Sequence, residues 1–156
     1  MTYFVTGATG FIGRYLVQSL LQRGKGTIYV LVRPKSVGKL DELREFWGKE
    51  SVKRVVPIKG DLGSPKLGVS TADVRKLKGK VKHFFHLGAV YDIEASAETM
   101  KKANIVGTQG ALDLAAAVNA GCFHLVSSIA AAGLYRGTFT EDMFEEAEDL
   151  DHPYYR

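Results

Sequence analysis

Three glycines set three residues apart, Gly7, Gly10 and Gly13, follow the apolar run Tyr3-Phe4-Val5 directly and open the amphipathic stretch Phe11 to Leu21. A strand that must turn at once into a helix has few ways to do so. Gly7 can take a backbone conformation closed to residues with a Cβ, Gly10 leaves space beside the turn, and Gly13 lets helix and strand pack closely. The first turn of the helix then aims unpaired N–H groups and a positive dipole end at that space. The segment TGATGFIG, in which Thr6, Thr9, Phe11 and Ile12 accompany the glycines, therefore reads as the phosphate-binding turn of a dinucleotide site.

A chain of 156 residues with 46% apolar and 24% charged side chains suits one folded domain. No apolar run approaches the ~20 residues of a membrane-spanning helix, and the N-terminus passes into a strand without the pattern of a signal peptide. A cytoplasmic protein is expected. The formal charge of +4 is modest, and the cations between Lys35 and Lys82 are interspersed with acids rather than grouped with aromatics. That pattern argues against nucleic acid as a partner and is compatible with a phosphate-rich ligand. Cys122 is the single cysteine, so it has no internal disulfide partner. Its apolar surroundings predict a buried thiol.

Runs rich in β-branched and aromatic residues predict strands at Tyr3–Val5, Thr27–Val32, Arg54–Ile58, His83–Leu87 and Phe123–Val126. Helical patterns occupy Phe11–Gln22, Lys39–Lys49, Thr71–Leu77 and about Ala97–Asn119, the last with Gly107 and Gly110 where it would press on a sheet. Alternating strands and helices imply right-handed crossovers and a doubly wound parallel α/β sheet of the Rossmann type, in the order 3-2-1-4-5. The chain stops at Asp-His-Pro-Tyr-Tyr-Arg, where Asp151 could cap a new helix and Pro153 could occupy its first turn. We therefore expect residues 1–156 to be the N-terminal, cofactor-binding half of a longer domain.

In such a fold an acidic residue at the end of the second strand accepts from the ribose of NAD. Here the sequence is Val32-Arg33-Pro34-Lys35. Arg33 could grip a 2′-phosphate with paired hydrogen bonds, with Lys35 or Lys39 adding charge, so NADPH is the expected cofactor. After the third strand, Asp61 of Gly60-Asp61-Leu62 could accept from the adenine amine or could cap a turn. After the fourth, His86-Leu87-Gly88-Ala89-Val90-Tyr91 offers small residues for close contact with the cofactor, His86 reading as a packed strand-end histidine. Ser128 follows the fifth strand and Tyr154 lies near the end. A hydroxyl and an acidic tyrosine could together steady a carbonyl oxygen that gains negative charge, though residue types alone leave this pair open.

These segments, with Asn104-Ile-Val-Gly-Thr, VSSIAAAG and HPYYR, occur in an order that resembles the extended short-chain dehydrogenases/reductases. The match is nearest to the N-terminal part of bacterial fatty acyl-CoA reductases, relatives of thioester reductase domains and male-sterility-type proteins. The resemblance implies an NADPH-dependent reductase taking a fatty acyl-CoA or acyl-carrier thioester to aldehyde, where it could stop or go onward to alcohol. It implies Ser128 as the catalytic hydroxyl, Tyr154 as the general acid, Leu62, Leu87, Gly88 and Ala89 along the cofactor, and Asn104 in a proton relay or in local architecture. The family's lysine four residues past the tyrosine would fall beyond Arg156. Nucleotide-sugar epimerases and other carbonyl reductases share the core, and a non-catalytic NADP(H)-sensing module would keep the glycine turn. An unclosed sheet edge would also favour self-association.

Overall fold

The computed structural model describes residues 1–90, 95–143 and 145–148. Five strands form one parallel sheet: β1 (Tyr3–Thr6), β2 (Ile28–Val32), β3 (Val55–Lys59), β4 (His83–His86) and β5 (Cys122–Leu125). Their spatial order is β3-β2-β1-β4-β5, the order predicted from the alternation of elements. The direction of winding reverses between β1 and β4, which opens a crevice at the carboxyl ends of the strands.

The helices are α1 (Phe11–Arg23), α2 (Lys39–Trp47), α3 (Ser51–Arg54), α4 (Thr71–Leu77), α5 (Ala97–Met100) and α6 (Gly107–Ala117). Strand alternation divides the core in two. Val5, Val30 and Val32 face Val17, Leu20, Leu40 and Trp47 on the side of α1 and α2. Phe4, Leu31, Ile58 and Phe84 face Leu77, Ala111, Leu114 and Val118 on the side of α4 and α6. Two long-range contacts fix α1: Trp47 Nε1 donates to Arg14 O in its first turn at 2.8 Å, and the Arg54 guanidinium caps its C-terminal end by donating to the carbonyls of Leu21, Gly24 and Gly26. Pro57 sits in β3 without cost, because β3 is an edge strand and a missing N–H there breaks no ladder.

The structure departs from the sequence-based expectations in three places. The long helix predicted over 97–119 is interrupted at Lys101–Val106 by a wider, π-type turn, and α6 ends in a Schellman motif. Asn119 there takes φ +54°, its N–H donates to Ala116 O, and the Ala120 N–H donates to Ala115 O. Gly107 and Gly110 press on the loop after β3 rather than on the sheet: a Cβ at Gly107 would lie 3.2 Å from Leu62 O, and one at Gly110 3.3 Å from Ser64 O. That loop folds over α6 and drops Leu67 into the core. Finally, Cys122 is exposed. It belongs to the outermost of the described strands, and its apolar neighbours in sequence alternate to the opposite face.

Candidate functional site

A cavity of about 480 Å³ opens at the carboxyl ends of β1 to β4. One wall is the glycine turn. Gly7 holds φ +70°, and a Cβ there would lie within 2.9 Å of the Leu87–Gly88 backbone. A Cβ on Gly13 would fall onto Gly7 O, so Gly13 serves the packing of α1 on β1. Gly10 faces the cavity and meets little else, a Cβ there approaching Gly7 O at 3.3 Å.

α1 begins at Gly10 with no side-chain cap and no acidic residue in its first turn. By contrast, Ser70 caps α4 and Ser96 caps α5 through their hydroxyls. The bare end leaves the amides of Phe11, Ile12 and Gly13 to an anion, with the helix dipole in support. The side chains of Phe11 and Ile12 point to solvent rather than into the cavity.

Thr6 holds the opposite wall from below. Its buried hydroxyl accepts from the N–H groups of Leu87 (3.1 Å) and Gly88 (2.9 Å) and lies 2.8 Å from His86 Nδ1. A hydroxyl that accepts twice has one hydrogen left to give, so it donates to Nδ1, and His86 carries its hydrogen on Nε2. That nitrogen faces Thr108 Oγ1 at 3.4 Å, and Thr108 donates to Asn104 O at 2.6 Å. Burial holds the His86 pKa down at about 4, and the side chain is 2% exposed. His86 is thus the neutral, packed strand-end histidine expected from its position.

Arg33 and Asp61 line the cavity at the ends of β2 and β3, with Leu62, Leu87, Gly88 and Ala89 beside them. Asp61 Oδ1 accepts from the Gly63 N–H at 2.9 Å. Asp61 thus caps the turn with one oxygen while standing on the cavity wall. Lys35 is exposed on the short turn after Arg33 and lies off the cavity wall.

Asn104 also stands back from the wall. Its Oδ1 accepts from the Val90 N–H at 2.8 Å and its Nδ2 donates to Val90 O at 3.1 Å, so the whole amide clamps the loop that follows β4. Ser128 is exposed, and its Oγ accepts from the Ala130 N–H at 3.2 Å, while its hydrogen meets no acceptor among the described residues. It lies outside the cavity lining. Tyr154, Asp151 and Pro153 fall outside the described residues.

Sequence reasoning missed Ser36, Gly63, Thr99, Lys102 and Ala103, all of which line the cavity. Lys102 matters most because it adds a cation to the cavity wall beside Gly63. It stands in the π-type turn, where the helical period gives no sign that a side chain is turned toward the crevice. The only local hint is its place two residues before Asn104.

The residues present fit a dinucleotide: a turn whose glycine cannot bear a Cβ, a helix end without cap or acid, and Arg33 on the cavity wall at the end of β2.

Comparison with known proteins agrees with this geometry. The chain is 36% identical over 132 residues to a component of the linear gramicidin synthase of Brevibacillus parabrevis, covering 80% of this chain and 3% of that protein. It is 34% identical over 139 residues to the large subunit of L-2-aminoadipate reductase from Penicillium chrysogenum, covering 83% and 10%. Among solved structures, the terminal R domain of the myxalamid PKS-NRPS pathway superposes with a TM-score of 0.76 at 31% identity, over 88% of this chain and 37% of that one. The reductase domain of a nonribosomal peptide synthetase from Mycobacterium tuberculosis gives 0.79 at 26% identity, over 99% and 41%. The chain thus spans well under half the length of these relatives. A family model described as Male sterility protein matches residues 5–154, and a match of that extent, on a sheet and a glycine turn of this kind, makes the chain a member of the male sterility protein family of extended short-chain dehydrogenases/reductases.

Proposed function

We propose that this chain is the cofactor-binding half of an NADPH-dependent reductase that acts on acyl thioesters. The observation that carries the reading is the cavity itself, which joins an uncapped helix end and a Cβ-intolerant glycine turn to Arg33 at the end of β2. Gly7, Thr9 and Gly10 would hold the pyrophosphate, Arg33 the 2′-phosphate and the free oxygen of Asp61 the adenine amine, with Lys102 contributing charge. Lys35 would act at longer range, being off the wall. Bound there, the nicotinamide supplies hydride to a carbonyl carbon. Ser128 offers a hydroxyl hydrogen to the carbonyl oxygen, and Tyr154 is proposed as the acid that completes the pair.

The relatives include a gramicidin synthase and reductase domains of peptide synthetases as well as two proteins of Drosophila melanogaster named as fatty acyl-CoA reductases, and on the higher identity to the gramicidin synthase we put a carrier-bound thioester before a free acyl-CoA. Both are reduced by the same chemistry, with the thiol as leaving group. Calorimetric titration tests the cofactor half of the proposal: NADPH should bind more tightly than NADH by about 1.5–3 kcal/mol, the worth of a charge-assisted bidentate contact. Arg33→Ala should remove that difference; equal affinities in the unmutated chain would refute the assignment. For the substrate half, a longer polypeptide extending past Arg156 should oxidise NADPH with a carrier-loaded acyl group faster than with the matching acyl-CoA. In it Tyr154→Phe should slow turnover ~10²–10⁴-fold with little change in cofactor affinity.

A further inference from the structure

On the far side of the sheet from α6, away from the nucleotide cavity, the fold gathers two histidines and the one cysteine. His83 opens β4 and Cys122 opens β5, and the two are register partners. His124 lies two residues beyond Cys122, so strand alternation returns it to the same face. His83 Nδ1 and His124 Nε2 are 3.0 Å apart, and the donor atoms of all three residues lie within 4.8 Å of one another. The chain has four histidines and one cysteine, so most of its imidazole and thiol donors meet at this point.

The rings are held in place by stacking. Phe85 and His124 stack with centroids 4.4 Å apart at 12°, His83 and His124 at 5.2 Å, and Tyr3 and His83 at 5.9 Å. Both histidines are half-buried while Cys122 is exposed, so an ion has a path from solvent to ligands whose stems are fixed. A shared imidazole hydrogen bond would explain the histidine pair alone. It leaves the thiol unexplained, whose one polar contact among the described residues is a weak 3.9 Å approach to Phe123 O.

Tetrahedral zinc has bonds of roughly 2.0–2.1 Å to nitrogen and 2.3 Å to sulfur, which sets N···N near ~3.3 Å and N···S near ~3.6 Å. Those separations lie close to the observed ones: the histidine nitrogens stand 3.0 Å apart and all three donors within 4.8 Å, so binding asks for a small opening of the histidine pair and a closer approach of the Cys122 thiol. We propose that His83, Cys122 and His124 form a three-ligand Zn²⁺ site that bridges β4 and β5 and leaves one position to water. On binding, the thiol releases its proton to solvent. The hydrogen shared between the rings moves to the outer nitrogen of the ring that carried it, so each imidazole binds in a neutral tautomer. Soft and borderline donors of this kind favour zinc over magnesium or calcium, which require oxygen.

The test is a Co²⁺ titration of the 156-residue chain in the presence of a phosphine reductant, followed by displacement with Zn²⁺. One equivalent of Co²⁺ should produce a thiolate-to-metal charge-transfer band together with d–d absorption of tetrahedral strength, and one equivalent of Zn²⁺ should erase both. Cys122→Ser should abolish the charge-transfer band. His83→Gln and His124→Gln should each weaken binding about tenfold or more; far-UV circular dichroism checks the fold, and His124, on the outermost of the described strands, is the safer variant. Saturating Zn²⁺ should raise the Tm by a few degrees, because the ion ties β5 to the sheet. Absence of the bands, or bands that survive both histidine substitutions, would overturn the proposal.

Discussion

Thr6 is the residue on which the site turns. Its single hydroxyl organises the loop after β4 by accepting from the Leu87 and Gly88 amides and donating to His86. Thr6→Val keeps the shape of the side chain and leaves both amides without an acceptor, one of them fully buried. It should cost about 1–3 kcal/mol in a urea titration. His86 makes the same network sensitive to pH. Its pKa is about 4 in the fold, held down by burial, against an ordinary value near 6.5. Between those values the unfolded chain binds a proton that the native chain refuses. Stability should therefore be complete above about pH 6.5, decline as pH falls toward 4, and level off below, a loss of up to roughly 3 kcal/mol. Urea midpoints between pH 7 and 4 measure this, and His86→Gln should flatten the slope; an unchanged slope in the variant would assign the effect to other groups.

At the scale of elements, two glycines of one turn have different duties. A Cβ at Gly13 meets the Gly7 backbone, which cannot move without displacing β1 or the Leu87–Gly88 loop packed behind Gly7. Gly13→Ala should therefore lower the melting temperature sharply or prevent folding. Gly10 opens on the cavity, and a Cβ there has one tight neighbour. Gly10→Val should leave a native circular dichroism spectrum while removing nucleotide binding, because the branched side chain fills the space of the pyrophosphate. The π-type turn at Lys101–Val106 is the other element that shapes the site. It brings Lys102 and Ala103 to the cavity wall while Asn104 reaches Val90. Asn104→Ala should loosen the loop after β4, weakening cofactor binding with less effect on global stability than Thr6→Val.

For the molecule as a whole, cofactor binding should be coupled to the fold, since the cavity is built from the ends of four strands rather than from one local motif. A ligand at a hundred times its Kd adds about 2.7 kcal/mol to the folded state. Thermal melts at equal cofactor concentrations should thus shift further with NADPH than with NADH, and Arg33→Ala should bring the two curves together. A larger shift with NADH would show that the end of β2 does not read the 2′-phosphate.

The order of strands, the glycine turn and the placement of Arg33 and Asp61 beside it were legible in the sequence because each depends on near neighbours. Alternation and β-branching mark a strand, a missing Cβ marks a turn, and right-handed crossovers between such elements leave one economical winding. Other features depend on residues distant along the chain. Thr6 meets His86 across 80 positions, and Asn104 spends its amide on Val90, so neither role shows in a local pattern. Cys122 reads as buried from its neighbours, yet on β5, the outermost of the described strands, it is exposed beside two histidines. Gly107 and Gly110 look suited to a sheet but receive a loop. The sequence by itself determined which elements form and in what order they wind, through backbone sterics and periodicity. Tertiary structure alone decided the contacts of Thr6 with His86 and of Asn104 with Val90, the place of Lys102 on the cavity wall and the exposure of Cys122, because only packing brings together groups that the chain keeps far apart.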